Sequence, residues 1–450
     1  MVGDVTSLEK SVACIILAAG QGKRMKSALP KAMHSLAGRP VIGWILEQVA
    51  PLNVDRVIVV TSPDGKTLAD AVQPHISVVQ EQARGTADAV RAALPALAGF
   101  SGDVLILLGD MPLVSTETLR ELVKARHQDM KTGLSVLGAS FPEPPAYGRL
   151  ILEEENTVSR IVEDRDCTAE ERALKICNVG AFCVDGEKIS GWVEAIDCQN
   201  AQNEYYITDL PAIAAKEGLK TRVHVTGSLD EVRGFNSRTD LAVLEHIVQQ
   251  KLRRAAMENG ATLLDPESVY FSWDTKIGQD VLIEPHVFFG TGVKIANHVH
   301  IKAFSHFEGA VIAQKCAVGP FARLRPGAVL GEKCKIGNFV EIKNSVLDAG
   351  VKAGHLAYIG DADIGADVNF SCGAITVNYD GFKKHRTVVG SGAMIGSNVN
   401  LIAPVEIGEG AYVAAGSSIT KDVPADALAV AREKPVIHEG WAAIWRDKKK

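Results

Sequence analysis

The sequence predicts two domains of different class: an α/β doubly wound domain with a parallel sheet, followed by a parallel β-helix. Two observations carry this prediction. Up to about residue 230, short β-branched runs alternate with helical stretches, and from about residue 262 aliphatic side chains recur every six residues. The chain has 450 residues and a 46% hydrophobic composition, so it is too long for one core and too apolar for disorder.

The first half follows the strand–helix alternation of α/β proteins. The segments that carry it are residues 12–19, 41–49, 56–61, 87–97 and 104–108. In such sheets ligands bind at the carboxyl ends of the parallel strands, so the loops after Ala19 and Leu108 are the expected places for chemistry. We assign residues 1–237 to this domain. A helix over residues 239–259, stopped by Gly260, forms the predicted linker over residues 238–260.

The second half carries a hexapeptide repeat in three runs. Equivalent side chains of adjacent coils stack on one another in a β-helix, which gives a continuous apolar interior. Residues 376–387 interrupt the repeat, and their Asn, Gly and charged residues predict a projecting loop. We assign residues 261–450 to this domain, with a frayed, solvated basic tail from Trp441. The repeat positions are Ile277, Ile283, Phe289, Ile295 and Ile301, then Ile312, Val318, Leu324, Leu330, Ile336 and Ile342, then Val389, Ile395, Leu401, Ile407, Val413 and Ile419.

Composition argues against several classes of protein. Lys plus Arg number 48 and Asp plus Glu number 54, a net charge of −6, which gives no basic face for nucleic acid. The longest early apolar stretch, residues 12–19, is too short to span a bilayer and lacks the basic leader of a signal peptide. Eight scattered cysteines include no C-x-x-C pair. We expect a soluble, cytoplasmic protein with reduced thiols and no nucleic-acid or membrane partner.

A glycine-rich loop follows the first strand, over residues 17–31. Small residues, Ala18, Ala19 and Gly20, let a base and phosphates approach the backbone, and Arg24 and Lys31 can neutralise phosphate charge. A dinucleotide fingerprint would need glycine in place of Met25, and a Walker loop would need Ser or Thr after its lysine. A nucleoside triphosphate therefore fits best, although a glycine-rich turn without any ligand is also common after a strand.

Asp110 and Asn236 are candidate magnesium ligands. Asp110 follows the strand at residues 104–108, and Asn236 lies in Gly234-Phe-Asn-Ser at the end of the domain. One carboxylate and one amide oxygen leave most of an octahedral shell for water and phosphate oxygens, as Mg²⁺ requires in phosphoryl transfer. Each residue taken alone is also an ordinary turn former.

Polar clusters interrupt the apolar repeat of the second half. Arg325 and Lys343 are 18 residues apart, one coil of about 18 residues, so they project from the same edge and suit a sugar phosphate. His355, between Gly354 and Tyr358, is the candidate base for amide formation because imidazole titrates in the right range. The alternative is a structural histidine at a turn.

The motif G-x-G-x-R-M followed by P-K resembles the signature of sugar-1-phosphate nucleotidylyltransferases. The remaining motifs make the whole chain similar to the bacterial bifunctional N-acetylglucosamine-1-phosphate uridylyltransferase/glucosamine-1-phosphate acetyltransferases. The resemblance implies a nucleotidyltransferase domain followed by a left-handed β-helix. It also implies acetylation of glucosamine 1-phosphate with acetyl-CoA, and then UMP transfer from UTP to give UDP-N-acetylglucosamine, a precursor for peptidoglycan and lipopolysaccharide and hence for cell shape.

The resemblance also implies roles for individual residues. Arg24 and Lys31 contact phosphates, His355 is the catalytic base, and Mg²⁺ binds Asp110 and Asn236. Residues for UTP and UDP-N-acetylglucosamine are Leu17, Ala18, Ala19, Gly20, Lys31, Gln80, Gly85, Thr86, Leu108, Gly109, Asp110, Gly148, Glu163, Asn178 and Asn236. Residues for glucosamine phosphate are Arg325, Lys343, Tyr358 and Asn369, and those for acetyl-CoA are Cys372, Asn378, Tyr379, Ser397, Ala415 and Arg432.

Two positions depart from the family pattern. Leu108 stands where the family commonly has Tyr, and Cys372 stands where it often has Ala. Leu108 therefore lacks the aromatic surface that Tyr would provide, and the thiol of Cys372 can crowd the thioester of acetyl-CoA.

The resemblance further implies a homotrimer, with acetyl-CoA between neighbouring subunits, acting on small-molecule substrates. Two other interpretations remain at this point. One is a nucleotidylyltransferase whose β-helix only assembles the oligomer or senses a regulator. The other is an assembly protein in which neither site turns over. The set Arg325, Lys343, His355 and Tyr358 argues against both, because a scaffold has no need of these polar groups.

Overall fold

The computed structural model describes residues 11–20, 22–154 and 156–449. The first ten residues of the predicted first domain, Gln21 of the glycine-rich loop and Lys450 of the tail lie outside these described ranges. The chain divides into two compact units, residues 1–248 and 249–450. The three-part division at residues 237 and 260 stays a prediction.

The N-terminal unit is built on a nine-stranded mixed sheet. Its central strand, Val12–Leu17, is apolar and almost fully buried, and it pairs in parallel with Arg56–Thr61 and Asp103–Leu108. The strand Ile176–Asp185 then runs antiparallel to Asp103–Leu108, so the sheet is not wholly parallel. The spatial order is Ile76–Val79, Arg56–Thr61, Val12–Leu17, Asp103–Leu108, Ile176–Asp185, Thr132–Ser140, Lys220–Thr226, Thr157–Val162 and Arg149–Glu154.

Helices alternate with these strands, as the sequence predicts. The predicted helical segments at 41–49 and 87–97 correspond to Val41–Val49 and to Thr86–Ala93, which continues as the 3₁₀ turn Leu94–Leu97. Short 3₁₀ turns, Lys23–Met25 and Lys31–Met33, shape the glycine-rich loop. The other helices of the unit are Lys66–Ala71, Thr116–Arg126, Ala169–Arg172, Ile189–Glu194 and Leu210–Lys216.

The C-terminal unit is a parallel β-helix of the hexapeptide-repeat, left-handed type, with three faces. Face 1 comprises Thr262–Leu263, Leu282–Ile283, His300–Ile301, Ala317–Val318, Lys335–Asn338, Lys352–His355, Asn369–Phe370, Met394–Ile395, Tyr412–Val413 and Leu428–Ala429. Face 2 comprises Lys276–Ile277, Lys294–Ile295, Val311–Ile312, Val329–Leu330, Val346–Leu347, Ala362–Ile364, Thr387–Val389 and Val405–Ile407. Face 3 comprises Phe288–Phe289, His306–Phe307, Arg323–Leu324, Glu341–Lys343, Tyr358–Gly360, Ile375–Val377, Asn400–Ile402 and Ser418–Ile419.

The predicted repeat positions form the interior of this β-helix. Successive equivalents pair in parallel register, as Ile283 does with Ile301, and nearly all are fully buried. Each strand is only a few residues long, so stability comes from stacking of neighbouring coils rather than from any one strand. The predicted interruption is confirmed as a loop over residues 378–386, between Ile375–Val377 and Thr387–Val389.

Two edges of the β-helix matter for function. Edge 1/3 is the corner where the chain passes from face 1 to face 3, and edge 3/2 is the corner between faces 3 and 2. Backbone hydrogen bonds stack the corners of successive coils: the N–H of Gly373 donates to Leu356 O, at 3.0 Å, on edge 1/3. On edge 3/2 the N–H of Asp361 donates to Lys343 O, also at 3.0 Å.

An exposed aromatic ladder runs along edge 1/3. It consists of His286, Phe304, Phe321 and Phe339, whose ring centroids are 4.8, 5.0 and 5.1 Å apart in that order. The three phenylalanines are 45–55% exposed, and Leu356 follows them at the same corner of the next coil. The ladder is a contiguous apolar strip on the surface of the described chain.

A helix over Arg238–Glu258 occupies the segment for which the sequence predicts residues 239–259. The tail differs from the prediction, because Trp441–Asp447 forms a short helix rather than frayed chain. Trp441 and Trp445 are one helical turn apart, and their rings stack at 6.1 Å, which favours the helix although its side chains are exposed. Among the described residues, no helix combines the length and apolar character that crossing a membrane requires.

Candidate functional site

Two cavities meet in the N-terminal unit beyond the carboxyl ends of Val12–Leu17 and Asp103–Leu108. The first has a volume of about 270 Å³ and the second about 240 Å³, and Thr86, Leu108 and Asp110 line both. The first is also lined by the predicted nucleotide residues Leu17, Ala18, Ala19, Gly20, Lys31, Gln80, Gly85 and Gly109. The second is also lined by the predicted residues Gly148, Glu163, Asn178 and Asn236.

Lys31, Asp110 and Asn236 converge where the cavities meet. The Lys31 Nζ atom lies 2.5 Å from Asp110 Oδ2 and 2.8 Å from Asn236 Oδ1. The side chains of Lys31 and Asp110 are only 13% and 25% exposed, so the charges are screened little by water. Residues more than 200 positions apart thus place two oxygens around one cationic nitrogen.

The backbone fixes both oxygen ligands. Asp110 follows the end of its strand, where the N–H of Gly109 donates to Leu17 O at 2.9 Å. Asn236 precedes the helix Arg238–Glu258, and Asp240 Oδ2 accepts from the N–H groups of Asn236 and Ser237, each at 2.9 Å. The hydrogen bond from the Asn236 backbone, followed by those of Ser237, holds the pKa of Asp240 below its usual value.

These oxygens fit a magnesium ion in number and kind. No cluster of three or more His, Cys, Asp or Glu side chains suited to a metal occurs among the residues that the structure describes. One carboxylate and one amide oxygen converging on a single point leave the remaining coordination positions to water and phosphate, which is the arrangement Mg²⁺ favours beside a nucleotide.

Gln80 has a fixed orientation in the first cavity. Its amide Nε2 donates to Asp88 Oδ2 at 3.0 Å and to Gly85 O at 3.2 Å. Because these partners only accept, the amide cannot be turned round, and carbonyl Oε1 remains as its acceptor. Gly85 is required here: its φ is 119°, and a Cβ at this position would lie 2.4 Å from Tyr205 O.

Glu163 and Asn178 line the second cavity. Thr208 Oγ1 donates to Glu163 Oε1 at 2.9 Å, and the N–H of Gly180 donates to Asn178 Oδ1 at 3.1 Å. Burial raises the pKa of the Glu163 carboxyl above its usual value, against the hydrogen bond from Thr208. Burial likewise raises the pKa of Tyr147, another lining residue. This cavity therefore presents an acceptor, the Glu163 carboxylate, and a donor, Nδ2 of Asn178, in an apolar setting.

Arg24 lies apart from this assembly. It is exposed in the 3₁₀ turn Lys23–Met25 and lines neither cavity, whereas the partnered Lys31 lines the first.

Leu108 packs against Gly180, whose Cβ, if present, would lie 2.4 Å from Leu108 Cδ1.

A second candidate site lies on edge 3/2 of the β-helix. Arg325 Nη1 is 2.9 Å from Glu341 Oε1, and Lys343 Nζ is 3.7 Å from Asp361 Oδ2 in the next coil. Asn378 Nδ2 donates to the Tyr358 hydroxyl at 3.4 Å and also to Asp361. Burial raises the pKa of Asp361, but hydrogen bonds from Asn344 and Asn378 and the charge of Lys343 outweigh it, so this pKa is lowered.

The loop over residues 378–386 is pinned at both ends to this edge. Asn378 holds Asp361 at its start, and at its end Arg386 chelates both carboxylate oxygens of Asp363. Between them Lys384 lies beside Lys343, and that like charge lowers the pKa of Lys384. Two neighbouring ammonium groups on this edge have the charge that suits an anion.

Other predicted residues stack on edge 1/3. His355 ends the strand Lys352–His355, and its exposed side chain makes no hydrogen bond or ion pair within the described chain. The N–H of Asn398 donates to Cys372 O and that of Gly416 donates to Ser397 O, both at 2.8 Å, so Cys372, Ser397 and Ala415 line up beyond it. Arg432 follows at the next corner, and Asn369 Nδ2 donates to Ser371 Oγ at 3.0 Å beside them.

The predicted residues for acetyl transfer therefore fall on two edges of one chain. Arg325, Lys343, Asn378 and Tyr379 lie on edge 3/2, and His355 with Cys372, Ser397, Ala415 and Arg432 lies on edge 1/3.

Sequence reasoning did not identify four supporting residues: Asp88, Thr208, Asp361 and Lys384. Their roles depend on contacts between distant segments, such as Glu163 with Thr208. Two of them carried a signal: Asp361 follows Lys343 by 18 residues, one coil of the repeat, and Lys384 lies in the basic run Lys383-Lys384-His385-Arg386 inside the segment that interrupts the repeat.

Comparison with known proteins agrees with both halves. Residues 14–170 match the family model of the MobA-like NTP transferase domain, and residues 386–421 match that of the bacterial transferase hexapeptide (six repeats). The chain is 49% identical over 435 residues to the Bifunctional protein GlmU of Paramagnetospirillum magneticum, covering 97% of this chain and 96% of that protein.

Other relatives of the same name span the chain equally. The chain is 50% identical to the Bifunctional protein GlmU of Rhodospirillum rubrum, with 96% of this chain and 97% of that protein covered. It is 46% identical to the Bifunctional protein GlmU of Zymomonas mobilis, with 98% and 99% covered. The chain belongs to the GlmU family of bifunctional proteins.

Proposed function

We propose that this chain catalyses two transfers. Its β-helix acetylates glucosamine 1-phosphate with acetyl-CoA, and its N-terminal unit then transfers UMP from UTP to the product, which gives UDP-N-acetylglucosamine and pyrophosphate. Full-length similarity to GlmU proteins supports both activities. The observation that carries the uridylyl transfer is the convergence of Lys31, Asp110 and Asn236 where two cavities meet.

UTP would occupy the first cavity with its uracil against Gln80. The N3–H of uracil is a donor, and carbonyl Oε1 of Gln80 is the acceptor that remains after its amide is used by Asp88 and Gly85. Cytosine has an acceptor at this position, so it would face the carbonyl without a proton between them. The small residues between Leu17 and Gly20 let the nucleotide approach the backbone closely.

The amino sugar would occupy the second cavity. Glu163 offers an acceptor and Asn178 Nδ2 a donor to polar groups of the sugar, and Gly148 leaves room for the ring. The phosphate of N-acetylglucosamine 1-phosphate would then lie towards Asp110, in the wall shared with the nucleotide cavity. This arrangement aligns a phosphate oxygen with the α-phosphorus of UTP, and such positioning is most of what phosphoryl transfer needs.

Asp110 and Asn236 would hold Mg²⁺ through one carboxylate and one amide oxygen. The ion supplies neutralisation of charge on the reacting phosphates. The ammonium group of Lys31, which lies beside both oxygens, would bind phosphate oxygens. Arg24 lines neither cavity, and its contact with phosphate stays a prediction.

For acetyl transfer, Arg325, Lys343 and the neighbouring Lys384 suit the phosphate of glucosamine 1-phosphate. Tyr358 and Asn369 suit its sugar. His355 would take the proton that the amine must lose as its nitrogen attacks the thioester carbonyl and the CoA thiolate leaves. The exposed, unpaired imidazole is available for that role.

A homotrimer would bring the two edges together. Within one chain the proposed phosphate-binding residues, Arg325 and Lys343, lie on edge 3/2, whereas His355 lies on edge 1/3. A single site that contains both sets therefore requires edges of two neighbouring copies. The aromatic ladder supports this arrangement, because an exposed strip of stacked phenylalanines that leads to His355 suits the repeating surface of a second β-helix. Acetyl-CoA would then lie between subunits, touching Cys372, Ser397, Ala415 and Arg432 of one and the loop with Asn378 and Tyr379 of another.

The test is to incubate the full chain with glucosamine 1-phosphate, acetyl-CoA, UTP and Mg²⁺, and to follow CoA thiol and pyrophosphate separately. Both should appear, and EDTA should stop pyrophosphate release while sparing thiol release. N-acetylglucosamine 1-phosphate is also added to the mixture in a second assay, so that uridylyl transfer does not depend on acetyl transfer. Release of pyrophosphate without release of CoA thiol in that assay would show that the β-helix only assembles or regulates the enzyme. Light scattering measures the trimer, and a monomer with full acetyltransferase activity would refute the shared site.

A further inference from the structure

Asp88 lies in the first turn of the helix Thr86–Ala93 and is almost completely buried. One of its carboxylate oxygens, Oδ2, accepts from Gln80 Nε2 at 3.0 Å. The other, Oδ1, accepts from Arg84 Nη2 at 3.0 Å and from Arg91 Nη1 at 3.3 Å. Within the described chain, Gln80 lines the first cavity and Asp88 does not. The carboxylate therefore joins two guanidinium groups to a residue of the cavity wall.

The two arginines are themselves held in place. Arg91 Nη2 donates to Val193 O at 3.1 Å, and its guanidinium carbon lies 4.8 Å from the centre of the Tyr205 ring. Arg84 lies over the same ring at 5.9 Å, and its backbone oxygen accepts from the N–H of Tyr205 at 2.8 Å. Because guanidinium groups only donate, they require an oxygen at the Oδ1 position of residue 88.

These hydrogen bonds form a directed series that ends at the cavity. The arginines donate to Asp88, Gln80 also donates to Asp88, and the carbonyl of Gln80 is left as the acceptor for the base. A donor in place of Oδ2 would instead face the amide nitrogen of Gln80, donor against donor. Gln80 would then gain a hydrogen bond by turning its amide, which presents Nε2 to the cavity. The chemical character of one oxygen of Asp88 thus sets the character of the group that meets the base.

We propose that Asp88 is the positioning residue for base selection: it fixes the carbonyl of Gln80 towards the base, so that the site prefers uracil to cytosine. The inference rests on the proposed uridylyl transfer, and Asp88 acts only through Gln80. The N3 atom carries a proton in uracil and is an acceptor in cytosine, so the two orientations of the amide favour different nucleotides. Gly85 O, which accepts from Gln80 Nε2 at 3.2 Å, supports the same orientation as Asp88.

Asp88→Asn tests the proposal with a side chain of the same shape. Arg84 and Arg91 require an oxygen at the Oδ1 position, so the new amide nitrogen takes the Oδ2 position and faces Gln80. Only Gly85 O then favours the original orientation of Gln80. The ratio of kcat/KM for UTP over CTP should fall about tenfold, the value of one hydrogen bond, through a gain for CTP as well as a loss for UTP.

Asp88→Ala separates positioning from packing. Ala presents no donor to Gln80, and Gly85 O still holds the original orientation, so the ratio should fall less than in Asp88→Asn. A packing role predicts the opposite order, because Ala removes more atoms. In the Gln80→Ala background, Asp88→Asn should leave the ratio unchanged, since the effect passes through the amide. The matched control is Asp70→Asn, an exposed aspartate on the helix Lys66–Ala71.

Steady-state kinetics of the full chain with UTP and with CTP measure the ratio, and thermal melts report whether each variant is folded. Calorimetric titration with each nucleotide and Mg²⁺ measures the same preference without turnover. An unchanged ratio in Asp88→Asn, a larger fall in Asp88→Ala, a full effect in the Gln80→Ala background, or an equal effect of Asp70→Asn would overturn the positioning role. A wild type that binds UTP in preference to CTP, loses this preference in Asp88→Asn, and yet releases no pyrophosphate would support the positioning role and overturn the uridylyl transfer.

Discussion

The Nζ atom of Lys31 lies 2.5 Å from Oδ2 of Asp110, at the point where the two proposed metal ligands converge. This contact makes the lysine a counter-ion for Asp110. The two proposed ligands, Asp110 and Asn236, would hold a metal ion, which would supply neutralisation of charge on the reacting phosphates. Loss of Asp110 should therefore remove a metal ligand and disturb the lysine at the same time.

Asp110→Ala should lower pyrophosphate release by about 100-fold or more, since it removes stabilisation of charge at the reacting phosphates. Acetyl transfer should continue at the wild-type rate because the β-helix shares no residue with this site. Separate assays of pyrophosphate and CoA thiol measure the two effects. The matched control is Asp70→Ala, an exposed carboxylate on the helix Lys66–Ala71. A parallel loss of both activities in a folded variant contradicts two independent sites.

Gln80 should determine the preference for uracil. Asp88 accepts from its amide nitrogen at 3.0 Å, which leaves the carbonyl as an acceptor for the N3–H of the base. Gln80→Ala should reduce the ratio of kcat/KM for UTP over CTP about tenfold, the value of one buried hydrogen bond. Steady-state kinetics with both nucleotides measure the ratio. Gln82→Ala, which replaces an exposed neighbour, is the control, and an unchanged ratio in Gln80→Ala would assign base selection to other residues.

Glu163 should lower the stability of the folded chain at neutral pH. Burial raises its pKa above the ordinary value of 4.5, so the folded state binds the proton more tightly than the unfolded state. The stability that this proton contributes is fully present below the ordinary pKa and is lost as pH rises through the raised one. Glu163→Gln should therefore melt at a higher temperature than the wild type near neutrality, with a difference that shrinks towards acid pH.

Thermal melts of Glu163→Gln at several pH values measure that difference, with the exposed Glu187→Gln as control. Glu163→Gln should also raise the KM for N-acetylglucosamine 1-phosphate, because an amide is a weaker acceptor than a carboxylate for sugar hydroxyls. A melting difference that is independent of pH would mean that ionisation of Glu163 does not destabilise the folded protein.

Arg386 should position the loop that carries Asn378 and Lys384. It chelates the Asp363 carboxylate and thereby opposes the repulsion between Lys384 and Lys343. Arg386→Ala should raise the KM for glucosamine 1-phosphate about tenfold with a smaller change in kcat. Arg386→Lys should recover part of the loss, since lysine binds carboxylate through a single nitrogen. Lys383→Ala is the control on the same loop, and equal effects of Lys383→Ala and Arg386→Ala would contradict a specific clamp.

The fold was predictable because both halves have a period set by backbone geometry. One face of a β-helix coil fixes the six-residue step, and each strand of an α/β sheet is fixed by its own burial, as Val12–Leu17 shows. The position of Asp110 followed from the same rule, since it comes directly after a buried strand. Such features depend on local sequence alone.

The contacts of Asp88, Thr208 and Lys384 were not predictable, because they join segments whose separation has no period. Thr208 reaches Glu163 across 45 residues, and Asp88 orients Gln80 through a helix that begins only after Gly85. Lys384 meets Lys343 only because the loop folds back onto edge 3/2. The tail formed a short helix through a Trp441–Trp445 stack, which outweighed the charged composition that favoured frayed chain.

His355 should be the base for acetyl transfer. The amine of glucosamine 1-phosphate is mostly protonated near neutrality, and an ammonium has no lone pair, so a proton must leave as the nitrogen attacks the thioester. Loss of a general base typically costs 10²–10⁴-fold, so His355→Ala should lower kcat for acetyl transfer by at least about 100-fold. Uridylyl transfer should be unchanged, and because the side chain is exposed and unpaired, the melting temperature should stay the same. The control His300→Ala removes an imidazole of face 1 that pairs with Glu284 at 2.8 Å, and it should retain acetyl transfer. If His355→Ala instead melts early and loses acetyl transfer only in proportion to its unfolded fraction, then His355 is structural, and solvent or another group takes the proton.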